Sequence, residues 1–219
     1  MTYGDFAWND LLGADRRRTR RPERPRARFV DGEPVPWMGA GEGAWTWHVR
    51  KELPQPLNRP YFAFTPDAPR SPRRRGLDDY LKPVLGEMKN DPLSLWATLV
   101  EGDRPGLRIA DTPPGFPPII DRVLEVPYSA GGLDPRTLAD AVSAQPRLLG
   151  RGPVGVHLTL RRILRTDVEY GGAIRVVFDG LSVLLGGDLQ SPADTRIWDL
   201  RVVRDSRAEA VEIRLWDIR

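Results

Sequence analysis

Residues 196–215, RIWDLRVVRDSRAEAVEIRL, decide how the fold is read. Apolar and polar side chains alternate on both sides of a short polar break, the period-two pattern of half-buried strands. Two such runs so close together predict a β-hairpin. Residues 93–109, LSLWATLVEGDRPGLRI, repeat the layout. Each run follows a stretch of helical period. The first is LDDYLKPVLGEM (77–88), with Leu77, Leu81, Val84, Leu85 and Met88 on one face; the second is AIRVVFDGLSVLLGG (173–187). A helix–hairpin unit used twice predicts a duplicated α+β module.

Working outward, AWTWHVRKEL (44–53) places Trp45, Trp47 and Val49 at alternate positions and reads as a strand. PQPLNRP is a turn, YFAFTP (61–66) a short strand and DAPRSPRRRG (67–76) a basic loop. Four prolines and a glycine in ADTPPGFPP (110–118) mark a boundary. Beyond it, IIDRVLEVPYSA reads as a strand. Asp134 then Pro135 open a helix with an N-cap and a proline at its first position. PVGVHLTLRRI (153–163) alternates strictly, with Val154, Val156, Leu158 and Leu160 inward, as a central strand does. The second half thus runs β-α-β-α-β-β, and the first half reads as a trimmed version of it. The expected organisation is a disordered basic arm (1–43), a trimmed module (44–110), a proline-rich linker (111–118) and a complete module (119–219). Tryptophans 45, 47, 198 and 216 are read as packing residues, and His157 as pointing away from the apolar side of its strand.

The 219 residues suit one large domain or two small ones. The absence of cysteine excludes disulfides, thiol nucleophiles and thiolate metal sites. The histidines, His48 and His157, are far apart, so a metal would need oxygen ligands, which favours Mg²⁺ or Mn²⁺. The start of the chain lacks the basic-then-apolar pattern of a signal peptide, and no stretch approaches the ~20 apolar residues of a membrane span. The expectation is a soluble cytoplasmic protein. Net charge is +3 but unevenly spread: residues 16–28 hold eight arginines and one glutamate, a local +7 that leaves −4 for the rest.

At the joints of this element order stand RTDVE (165–169), FDGL (178–181) and ADTRI (193–197), and together they resemble the RusA family of Holliday-junction resolvases. That family has an Arg-Asp-Leu-Asp-Asn-like turn, a helix with a lysine and a Phe-Asp pair, and an acidic start to the last hairpin. Here Arg165-Thr166-Asp167-Val168-Glu169 stands at the turn, Phe178-Asp179-Gly180-Leu181 at the Phe-Asp position, and Ala193-Asp194-Thr195-Arg196-Ile197 at the hairpin start. The resemblance spans about residues 119–218. It carries the turn acids to Asp167 and Glu169, the second of the two hairpin acids to Asp194, the first having no match, and the helix lysine to Arg175. Against the family pattern, the second turn acid is Glu, Tyr170-Gly171-Gly172 lengthens the turn, and the lysine is an arginine. In the first half, residues 74–83 (RRGLDDYLKP) resemble the same turn and helix, keeping an acid at Asp78 and the lysine at Lys82, with Gly76 at the first acid's place.

The resemblance implies two tandem RusA-like modules, each a mixed sheet with helices on one face. It implies an Mg²⁺-dependent endonuclease resolving branched DNA in recombination or repair, associated with the nucleoid. Because family members are homodimers on a two-fold junction, a tandem chain resembles a fused dimer, as a monomeric pseudo-dimer or a further homodimer. Asp167, Glu169 and Asp194 would hold the metal and Arg175 the scissile phosphate. On an extended segment, Asp167 and Glu169 face the same side; equally, they suit the positive end of a helix as simple turn acids. Asp78 and Lys82, four apart on a helix, also make an ordinary ion pair.

Nucleic-acid contact is expected from Arg16, Arg17, Arg18, Arg20 and Arg21, from Arg73, Arg74 and Arg75, and from Lys82; the alternative for the arginine runs is solvation of a tail and a loop. Residues 3–13, with Phe6, Trp8, Leu11 and Leu12, are a candidate docking segment for a protein partner. The competing functional expectation is a catalytically inactive RusA-like module that binds nucleic acid or scaffolds a protein partner.

Overall fold

The computed structural model describes residues 28–32, 40–53, 57–66, 76–88, 92–111, 116, 124–128, 134–144, 150–161, 170–187, 193–205, 207 and 211–218. In chain order the elements are β1 (Arg28–Asp31), α1 (Ala40–Glu52), β2 (Pro60–Thr65), α2 (Leu77–Gly86), β3 (Ser94–Leu99) and β4 (Gly106–Asp111). They continue with β5 (Leu124–Tyr128), α3 (Pro135–Ser143), β6 (Val154–Arg161), α4 (Tyr170–Leu185), a 3₁₀ turn (Asp194–Arg196), β7 (Ile197–Asp205) and β8 (Val211–Asp217).

All eight strands form one mixed sheet in the order β1-β4-β2-β3-β7-β6-β8-β5. The order is a palindrome: exchanging β1 to β4 for β5 to β8 reproduces it. Each half runs β-α-β-α-β-β, and the halves meet where β3 lies antiparallel to β7, as a local two-fold axis requires. The class is α+β.

Neither expected hairpin forms. β2 lies between β3 and β4, parallel to the former and antiparallel to the latter. β6 divides β7 from β8 in the same way. All six residues of β2 are buried, which demands an interior place in the sheet. The links after β3 and β7 need only step over one strand, about 10 Å, so short polar connections suffice. The parallel pairs β2/β3 and β6/β7 are joined across α2 and α4, the crossover that parallel strands require.

The first half is not trimmed. Residues 44–53, expected as a strand, belong to α1 and the residue after it. Trp45, Val49 and Leu53 are buried at a spacing of four while Trp47 is exposed, so the helical period, not the alternation of Trp45, Trp47 and Val49, faces the core. β1 and the start of α1 also fall within the stretch expected as a disordered arm. Tyr170, Gly171 and Gly172, expected to lengthen a turn, form the first turn of α4.

Other expectations match. α3 starts at Pro135, and the Asp134 carboxylate accepts from the Thr137 amide at 2.8 Å. Gly186, at φ +94°, closes α4 in the left-handed conformation that glycine adopts without strain.

One apolar cluster contains residues from all four helices, so the helices share one face of the sheet. Trp45, Leu81, Leu138 and Phe178 pack there on Phe62, Leu95, Leu158, Leu200 and Ile213. Each such side chain stabilises the fold by about 1.5–3 kcal/mol relative to exposure. On the opposite face Tyr61, Ala63, Trp96 and Ala110 form a smaller cluster with Phe116. Phe116, in the proline-rich connection, lies edge-on to Trp96 and to His157, bridging strands of both halves. Beside it the Gly155 backbone lies directly under the Trp216 indole, where a Cβ would come within 2.0 Å of the ring. Among the described residues no helix is long and apolar enough to cross a membrane.

Candidate acidic site between the halves

Four carboxylates and one guanidinium gather where α2 of the first half meets α4 of the second. Asp78 and Asp79 lie in the first turn of α2, whose N-cap Gly76 offers no side-chain acceptor. Acids there suit the positive end of the helix. Asp194 opens the 3₁₀ turn that leads into β7. Arg175 and Asp179 sit one turn apart on α4, with Nε and Oδ2 at 3.9 Å.

Gly76 marks the closest approach. A Cβ on it would stand 2.4 Å from Asp78 Oδ1 and 2.9 Å from Asp194 Oδ2. The two carboxyl groups, one from each half, therefore face each other across a position that only glycine leaves open. Asp78 Oδ1 is buried with no hydrogen-bond partner.

Burial first, and crowding of like charge after it, shows in protonation. Burial, then the charges of Asp79 and Asp194, push the Asp78 carboxyl from 3.8 up to about 7; the Asp79 amide and Arg175 oppose the rise. Burial foremost, then Asp79 and Asp179, raises Asp194. Asp179 is raised by burial despite the adjacent Arg175. Such a cluster gains free energy from anything that neutralises it, a proton or a cation. Among the described residues no three histidine, aspartate or glutamate side chains stand ready-made around a metal position.

Of the residues singled out from sequence, Asp194 and Arg175 lie in this cluster, and so does Asp78. Lys82 is exposed on α2. Asp167, Glu169, Arg16, Arg17, Arg18, Arg20, Arg21, Arg73, Arg74 and Arg75 lie outside the described residues, as does the 3–13 segment. Asp194, expected to work with acids of its own half, has Asp78 and Asp79 of the other half beside it. Asp79 and Asp179 received no role from sequence. Asp79 sits next to Asp78, and Asp179 is the acid of the Phe-Asp pair, but only the α2–α4 contact makes them neighbours.

A second cluster holds the junction on the opposite face. Trp96 Nε1 donates to Asp199 Oδ1 at 3.0 Å, and Arg201 Nη2 lies 3.3 Å from Asp199 Oδ2. Asp199 and Arg201 are both buried. The Arg201 guanidinium also lies against the rings of Trp96 and Trp216. Burial, then the charges of Arg201 and Arg214, bring His157 down to about 4, so it is neutral at pH 7. This cluster is internally satisfied and reads as structural.

A scan against protein-family models finds no match for the chain, and a search of curated proteins finds none either.

Proposed function

We propose that the protein is a RusA-like pseudo-dimer acting on branched DNA as an Mg²⁺-dependent endonuclease. The observation that carries this reading is the apposition of Asp78 and Asp194, one from each half of a two-fold sheet, with Arg175 and Asp179 alongside. A two-fold protein matches a two-fold junction without needing a second chain.

The orphaned, buried Asp78 oxygen and the raised protonation of its neighbours are what a divalent cation would relieve, so the donor set fits Mg²⁺ or Mn²⁺. Asp78 and Asp194 would hold the ion, with Asp167 and Glu169 as the further candidates from sequence. The ion would activate a water and neutralise charge on the leaving oxygen. Arg175, exposed at the rim, would take a phosphate oxygen; it does not serve as a proton donor, because a guanidinium stays charged. Arg16 to Arg21 and Arg73 to Arg75 would add salt-dependent contacts to the backbone.

The experiment is cleavage of a synthetic four-way junction with Mg²⁺ or Mn²⁺, comparing the wild type with Asp194→Asn and Asp78→Asn. Cleavage lost in both variants supports the reading. Absence of cleavage by folded wild-type protein with either ion overturns it.

A second reading, a non-catalytic module that binds nucleic acid, draws on the departures from the family pattern at Gly76, Glu169 and Ala193. It predicts salt-sensitive junction binding without cleavage.

A further inference from the structure

Among the described residues, large apolar side chains stand exposed at Trp47 and Leu93. Trp47 is 51% exposed on the outer side of α1, where the core has no use for it. Its neighbours include the Lys51 ammonium and the His48 ring. Lys51 Nζ sits 3.4 Å from the ring centroid, and the His48 ring meets the indole edge-on at 5.1 Å. His48, Arg50 and Lys51 are all exposed.

The patch is fixed relative to the acidic site. Arg50 Nε pairs with Glu87 Oε2 at 2.7 Å, and Glu87 is the C-cap of α2. Asp78 and Asp79 lie at the other end of that ten-residue helix, about 12–13 Å away along its axis. Lys82 lies exposed between them.

We infer that the outer face of α1, built from Trp47, His48 and Lys51, is a nucleic-acid contact in which the indole stacks an unpaired base and Lys51 meets the adjoining phosphate. Charge complementarity around an exposed ring supports this contact. Base stacking needs accessible ring surface, and Trp47 is half exposed with Lys51 against its ring. Phosphate needs a cation within a nucleotide of the stacked base, and Lys51 is one helical turn away. The inference rests on the nucleic-acid reading above and adds a contact that holds single-stranded segments.

The test uses the full chain and fluorescein-labelled oligonucleotides, with binding followed by anisotropy at several salt concentrations. The probes are a blunt four-way junction, the same junction with a single-stranded thymidine extension, and oligothymidine alone. Trp47→Ala is expected to weaken binding of the two single-stranded probes by about 5- to 100-fold and to leave the blunt junction nearly unchanged. Trp47→Phe keeps a ring and retains most of the affinity. Lys51→Ala is expected to lower the log–log salt slope for oligothymidine by about 0.7. Wild-type affinity for oligothymidine in a folded Trp47→Ala variant overturns this inference while leaving junction binding intact. Failure of the wild type to bind any of the three probes overturns the nucleic-acid reading as well.

Discussion

Trp96 Nε1 donates a 3.0 Å hydrogen bond to Asp199 Oδ1, tying the third strand of the first half to the third strand of the second. The same carboxylate faces Arg201, which stands directly opposite Trp96 in the β3/β7 ladder. One buried acid thus serves a donor from each half, at the seam where the two-fold axis crosses the sheet.

Asp199→Ala is therefore expected to destabilise the whole protein by about 3–5 kcal/mol, since it leaves the Arg201 charge buried without its carboxylate. The double variant Asp199→Asn/Arg201→Met, which buries no charge, should lose less. Urea unfolding followed by circular dichroism measures both. Because the seam is a continuous sheet, a single transition is expected; two separable transitions in the wild type would contradict a shared core.

Asp78 sets a pH trend. Its carboxyl titrates near 3.8 when unfolded and about 7 when folded, so the folded state holds the proton more tightly. Stability from this group falls as pH rises from about 4 to about 7 and stays low above that. Asp79, Asp179, Asp194 and Arg175 surround it, and the raised values of Asp179 and Asp194 act in the same direction. Asp78→Asn is expected to be more stable than the wild type at pH 8, on the order of a few kcal/mol. Urea midpoints at pH 5 and pH 8 decide it: equal differences at both values would rule the linkage out.

His157 opposes that trend. Its imidazole titrates near 6.5 when unfolded and about 4 when folded, so the unfolded chain takes up a proton that the folded state refuses. Stability is lost as pH falls through that window. A neutral replacement, His157→Gln, should steepen the net decline in stability between pH 4 and pH 6.5, because only the acid cluster then contributes. The pH profile of the unfolding midpoint, compared with that of Asp78→Asn, separates the two groups.

Gly76→Ala places a methyl group within 3 Å of both Asp78 Oδ1 and Asp194 Oδ2. The carboxylates must part, and on the proposed function junction cleavage should fall by at least tenfold, about 1.4 kcal/mol of transition-state stabilisation. The fold should survive, since the groups that must give way are the ends of two side chains. A Gly76→Ala variant with full cleavage would exclude Asp78 and Asp194 as a joint site.

Much of the second half was legible because its pattern is unambiguous. Strict alternation from Val154 to Leu160 buries one face of β6, and Asp134 with Pro135 caps α3 where a cap and a proline are expected. The first half misled where two periods overlapped. Trp45, Trp47 and Val49 satisfy the alternation of a strand, yet Trp45, Val49 and Leu53 satisfy the pitch of a helix; burial selected the second. Strand pairing was also hidden. Residues near in sequence suggested hairpins, but the fully buried β2 comes between β3 and β4, and the alternating β6 between β7 and β8.

Hydrophobic period alone assigned helix or strand wherever a single period dominated, and it pointed to a repeat, although the repeated unit is β-α-β-α-β-β and not a helix and a hairpin. Long-range packing, by contrast, is what joins β3 to β7 in one sheet, inserts β2 and β6 into the expected hairpins and brings Asp78 to Asp194 over Gly76. The physical reason is that periodicity records how much of each residue is buried, whereas pairing and charge clustering depend on which distant segments share that burial. Composition carries no trace of this until the backbone brings them together.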